Sequence, residues 1–224
     1  MRIEPEQIVN GGTYTENVEN HGTIKGGVFT GKVDSFGGIE GGKFKGEVEV
    51  HPHSSISGGK FSGFVHVQPN ASVNNGEFLG FVKVNGTIKN GKFLNNVELF
   101  GGIKGGEYFG TVSAFGGSEI SDGIFQGEVD LYAKVKLGDN QKIYGPLYTI
   151  VTNPISGRVI SKDLVEPGVA NPIDEIRKNN DYPSKIEKAI KKIIEEKNSY
   201  LSDQNDKNPL DLLALSQDFN DNIL

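Results

Sequence analysis

From Gly11 to Lys136 the chain repeats one short pattern every 15 to 17 residues, and no other feature restricts its fold as much. Coils start at Gly11, Gly26, Gly41, Gly58, Asn75, Asn90, Gly105 and Asp122. The second position is glycine in every coil, from Gly12 and Gly27 to Gly106 and Gly123. The fourth is aromatic: Tyr14, Phe29, Phe44, Phe61, Phe78, Phe93, Tyr108 and Phe125. The eighth is valine: Val18, Val33, Val48, Val65, Val82, Val97, Val112 and Val129. A β-branched residue closes each coil: Ile24, Ile39, Ile56, Val73, Ile88, Ile103, Ile120 and Val135.

The chemistry inside the period selects the fold. Apolar residues fall at even spacings, as in Val48–Val50, Val65–Val67 and Val82–Val84, with polar residues between them. That is strand periodicity, and no helical 3.6-residue signal occurs before residue 170. A single coil cannot bury its apolar columns, whereas stacked coils lay aromatic on aromatic and Val on Val. The expected fold is therefore all-β. It is a single-stranded parallel β-solenoid (β-helix) of about eight coils, roughly 38 Å long at ~4.8 Å per rung, with a C-terminal α-helical tail. Three coils carry two extra residues, and in two of them the additions, His51–Ser54 and Gln68–Ala71, replace a two-residue corner such as Asn85–Gly86. Insertions confined to one corner leave the flanking strands in register. This divides the chain into a repeat domain over residues 1–136, a capping extension over 137–172, and a helical and then flexible acidic tail over 173–224.

Composition agrees with a narrow core. Only 35% of residues are hydrophobic, while glycine accounts for 31 of 224. The formal net charge of −6 disfavours nucleic acid and anionic lipid surfaces as partners. With no Cys there are no disulfides and no thiolate metal sites. The segment MRIEPEQIVN lacks the features of a secretory signal, and no stretch approaches 18 consecutive apolar residues. A soluble, cytoplasmic protein without a membrane span is expected.

The segment VEVHPHSSISGGKFSGFVHVQPNASVNNGEFLGFVKVNGTIKNG resembles bactofilins, the polymer-forming bacterial cytoskeletal proteins. The resemblance covers about residues 11–136 and rests on V-x-V, P-x-A-x-V and G-x-V/I spacings. It implies a short β-helix with tails that builds non-polar filaments by end-to-end stacking. The phenylalanine column and Gly-Gly corner are heavier here than in that family, and the tail is longer. The Tyr/Trp-Gly-Lys cadence of MORN repeats is missing. Neither resemblance supplies catalytic residues.

Beyond Lys136 the repeat decays into apolar patches (Ile143–Tyr144, Leu147–Val151, Val159–Ile160) expected to complete or cap the last rung, since bare strand edges invite aggregation. A helix is predicted from Ser184, preceded by Pro183 and closed by a capping box with Glu187. Its apolar face, which includes Ile186, Ile190 and Ile193, either docks on the solenoid or recognises a partner.

Four groups of residues invite a chemical reading. Gly26–Lys32 has the glycine and lysine spacing of a phosphate-binding loop, but Val33 follows where Ser or Thr is required. It reads as a coil of the repeat. His51, His53 and His66 are close enough in sequence to suggest zinc, yet no fourth ligand is set by spacing, and surface histidines are the simpler reading. The outward column Glu19, Asp34, Glu49, His66, Lys83, Glu98, Ser113 and Asp130 stacks only Asp34 on Glu49 as acids away from its end. That is thin support for glycoside chemistry. The fourth group is apolar where a solvated sheet should be polar: Phe64 and Phe81 in one outward column, and Leu79, Leu94 and Phe109 in the next. Monomers avoid such patches, so this is the expected interface. Phe36, Phe100 and Phe115 add aromatics at a corner, facing outward or tucked in.

The sequence thus points to a non-enzymatic scaffold without cofactor or metal, whose partner is itself or another protein. The alternatives are a protein-binding module of a secreted effector or adhesin, and a small polysaccharide-active enzyme.

Overall fold

A computed structural model describes residues 1–132, 134–152, 156 and 158–165. They fall within the compact unit Met1–Pro167. The predicted helix face of Ile186, Ile190 and Ile193, and all of residues 173–224, lie outside the described residues.

The described chain is all-β, wound into about nine turns of a parallel solenoid. Each turn has three sides, named here for their inward residues. The valine side carries strands such as Val48–Val50, Val65–Val67 and Val82–Val84. The isoleucine side carries Ser55–Ile56, Ser72–Val73 and Thr87–Ile88. The aromatic side carries Lys43–Phe44, Lys60–Phe61 and Glu77–Phe78. Each strand pairs in parallel with its equivalents one turn before and after, so repeat positions stay in register: Val48 opposes Val65, which opposes Val82. From Gly102 onward the isoleucine and aromatic sides join into long single strands, Gly102–Tyr108, Glu119–Phe125 and Lys136–Ile143.

The aromatic column is a continuous stack. From Tyr14 to Phe125, successive ring centroids are 4.6 to 4.9 Å apart and ring planes differ by 4° to 13°. The rung spacing imposes that separation, which lies within the range of favourable offset stacking, worth about 0.5–1.5 kcal/mol per pair beyond burial. Phe61, Phe78, Phe93 and Phe125 are fully buried. The two tyrosines fit because each hydroxyl donates to the first glycine carbonyl of its own coil: Tyr14 to Gly11 and Tyr108 to Gly105, both at 2.9 Å. Burial pushes the Tyr108 phenol well above its ordinary pKa.

Glycine is required at two corners for different reasons. Gly59 has φ +114°, a conformation that side-chain-bearing residues rarely adopt. At Gly80 a Cβ would run into the carbonyl oxygen of Gly63 on the turn before, so rungs close only over hydrogen there.

Two expectations are corrected. A turn precedes Gly11: Arg2–Ile3 pairs with Glu19–Asn20, and Ile8–Val9 pairs with Thr23–Ile24. At the other end Val135 does not close its coil; Leu137 does, opposite Ile120. The last coil carries the same two-residue lengthening as the insertion coils, which leaves Val135 in the corner.

Parallel pairing runs on past Lys136. Lys136–Ile143 pairs with Glu119–Phe125, and Leu147–Thr152 pairs with Val129–Leu131. A final strand, Val159–Leu164, then adds to Leu147–Thr152 in antiparallel sense. Among the described residues no helix is long and apolar enough to cross a membrane.

Candidate interaction surface

The apolar outward residues follow the corner where the aromatic side turns into the valine side. Leu79, Leu94 and Phe109 succeed one another on adjacent turns, their amides donating to the carbonyls of Phe61, Phe78 and Phe93 at 2.7 to 2.8 Å. Phe64 and Phe81 stand across the corner on the valine side, ring centroids 5.7 Å apart. Leu94 is 40% exposed and Phe109 42%, while Phe64, Phe81 and Leu79 are half-buried. Lys92 Nζ lies 5.2 Å from the Phe109 ring centroid and borders the ridge with charge. Since the backbone beneath belongs to stacked rungs, these side chains sit on a rigid support.

The polar outward column of the valine side is in register as spaced: Asp34 opposes Glu49, Glu49 opposes His66, and His66 opposes Lys83. Its carboxylates are engaged locally. Glu49 accepts from Gln68 Nε2 at 2.6 Å and lies 2.9 Å from His66 Nδ1, with His66 Nε2 3.2 Å from Asn85 Oδ1. Asp34 has Lys32 at 3.1 Å and His51 at 3.6 Å. Glu19 is held below its ordinary pKa chiefly by the hydrogen bond with His21, at 2.6 Å. His21, His51 and His66 therefore pair off with separate carboxylates, while His53 is exposed at its corner. Among the described residues no group of three His, Asp or Glu side chains is placed to hold a metal ion. Gly26–Lys32 runs through Val28–Phe29, a strand whose Phe29 is in the core.

The corner aromatics face outward and form ladders. Phe36 stacks between His21 and His51, at centroid distances of 4.8 and 3.9 Å. Phe100, Phe115 and Tyr132 stack at 4.6 and 4.5 Å. The sequence reading found the three phenylalanines but not His21, His51 and Tyr132. All occupy the eleventh position of their coils, so the signal was present. A shallow open groove beside this corner is lined by Phe115, Tyr132, Lys134, Thr152 and Val159, with no carboxylate among the described residues.

The C-terminal end of the valine side has its own cluster. Lys162 Nζ donates to Glu128 Oε1 at 2.7 Å and to Asp130 Oδ2 at 3.4 Å, and lies 4.4 Å from the Tyr148 ring centroid. Burial raises the Asp130 carboxyl above its ordinary range despite that ammonium, and the hydrogen bond to Glu128 raises Lys162.

Comparison with protein-family models, curated proteins and solved structures finds no match.

Proposed function

We propose that this chain is a structural or scaffolding solenoid that associates with copies of itself, as bactofilins do. One observation carries the reading: Leu94 and Phe109 stand exposed side by side with Phe64, Phe81 and Leu79 on a rigid corner that nothing among the described residues covers. Polar residues at these positions would leave the inward columns intact, so the core does not explain them. Burying such a ridge against a second copy removes apolar surface from water at about 25 cal/mol per Å². The locally paired carboxylates of the valine side favour this role over glycoside chemistry.

The test is light scattering of the full-length protein across a concentration series, comparing wild type with Leu94→Asp/Phe109→Asp. Concentration-dependent assembly that the double variant loses, with its unfolding midpoint unchanged, supports the reading. A strictly monomeric wild type sinks it.

A further inference from the structure

A parallel solenoid grows by adding a strand to the last rung on each side, so the edge of the last valine-side strand is where another turn would dock. That strand, Leu147–Thr152, has Val129–Leu131 on one edge. Its other edge is taken by Val159–Leu164, the one antiparallel strand among the described residues. On the adjoining sides Lys136–Ile143 pairs only with Glu119–Phe125. Among the described residues the sides of the last turn therefore end out of step: the valine-side edge is filled, and no further strand pairs with Lys136–Ile143.

The filling strand is built unlike those it covers. Strands of the middle turns bury one or two residues of every two or three, whereas five of the six residues of Val159–Leu164 are exposed and none is buried. Val159, Ile160 and Leu164 are 54%, 47% and 50% exposed. Its contacts with the rest of the turn include the backbone ladder, the Thr149 hydroxyl donating to the Asp163 carbonyl at 3.4 Å, and Lys162, which reaches Glu128 and Asp130 and sits over Tyr148.

Register shows what else fits that place. The outward column runs Glu19, Asp34, Glu49 and onward to Asp130 and Tyr148, and Arg2 heads it, opposite Glu19. A second copy stacked in parallel on Leu147–Thr152 would bring its own Arg2 beside Tyr148 and near Asp130, where Lys162 now lies. One cation would replace another on the same acidic and aromatic partners. Its Ile3 would follow Thr149 in the inward column, as Ile3 precedes Asn20 in this chain.

We infer that the edge of Leu147–Thr152 away from Val129–Leu131 is a docking edge for the first turn of a second copy of this chain, and that Val159–Leu164 occupies it until displaced. The inference rests on the self-association reading but uses a different surface from the Leu94/Phe109 ridge. Axial growth is then gated by the chain's own strand, whereas lateral contact through the ridge is not.

The experiment uses full-length wild type, Lys162→Glu, Lys162→Arg, and Lys162→Glu combined with Arg2→Glu. Hydrogen exchange is read first, at a dilution where all are monomeric. Lys162→Glu should speed exchange in Leu147–Thr152 and Val159–Leu164 by about tenfold or more, through lost charge-assisted bonds and new repulsion from Glu128 and Asp130. Exchange in the middle turns should not change, and Lys162→Arg should match wild type. Light scattering at high concentration should then show larger assemblies for Lys162→Glu, reversed by Arg2→Glu. Unchanged exchange in Lys162→Glu overturns the inference whatever the assembly state. So does a released strand without added assembly while wild type still associates through the ridge, and in that case the self-association reading survives. If no variant assembles, both fall.

Discussion

The middle turns and the C-terminal end of the solenoid are made from the same repeat, yet different forces hold them. Across residues 41–104 the fourth position of each coil is Phe, the eighth Val and the closing residue Ile or Val, and every one of these is buried to within 1% of complete. Losing one such side chain leaves a void between two neighbours that cannot close, because the rungs are fixed at the backbone. At the end the columns lapse. The aromatic column passes from Phe125 to a half-buried Ile143, and the last valine-side strand is followed by one that buries nothing. There a few charged contacts take over from burial. Uniform columns make a solenoid cooperative, and their loss makes its end separable.

The largest expected effect lies in the middle. Phe61→Ala removes a ring stacked at 4.7 Å on Phe44 and 4.8 Å on Phe78, and should destabilise by about 3–5 kcal/mol in urea unfolding. The same truncation at the end, Ile143→Ala, should cost about 1–2 kcal/mol, since Ile143 is only half-buried. Equal costs at the two sites would erase the distinction.

Acidity should act mainly at the end. The folded pKa of Asp130 is raised above the ordinary 3.8, so between that value and the raised one the folded state holds more protons than the unfolded state. Asp130 therefore makes stability fall as pH rises through this window. Lys162 works in the opposite region: its raised pKa gives stability that is present below 10.5 and lost as pH climbs above it. Urea midpoints of wild type and Asp130→Asn across the acid range should differ in slope, with the decline absent from the variant. Parallel slopes would remove Asp130 as its source. The smallest effect is expected at a surface contact of the middle turns. Lys83→Ala loses an ammonium 5.2 Å from the Phe100 ring on a half-buried side chain and should cost about 0.5 kcal/mol, near the limit of a thermal melt.

The ridge was legible in the sequence because a fifteen-residue register turns a linear pattern into columns. Leu79, Leu94 and Phe109 recur at the fifth position of successive coils, so their adjacency could be read before any strand was placed. The corner ladders were half legible. Histidine and tyrosine in the eleventh position do not read as one class with phenylalanine, yet the rings stack alike at 3.9 to 4.8 Å. Val135 misled because a hydrophobic residue near the right spacing counts as a match, and a two-residue shift in the last corner is visible only once Ile120 is seen opposite Leu137.

By itself the sequence determined the solenoid, its aromatic, valine and β-branched columns and the outward column, since each follows from a local period repeated until neighbours must coincide. Only the tertiary structure decided how the rod ends. The direction of Val159–Leu164 and the partners of Lys162, 32 and 34 residues away in the chain, belong to no repeat. A contact made once leaves no period to read, and only the folded backbone brings its two halves together.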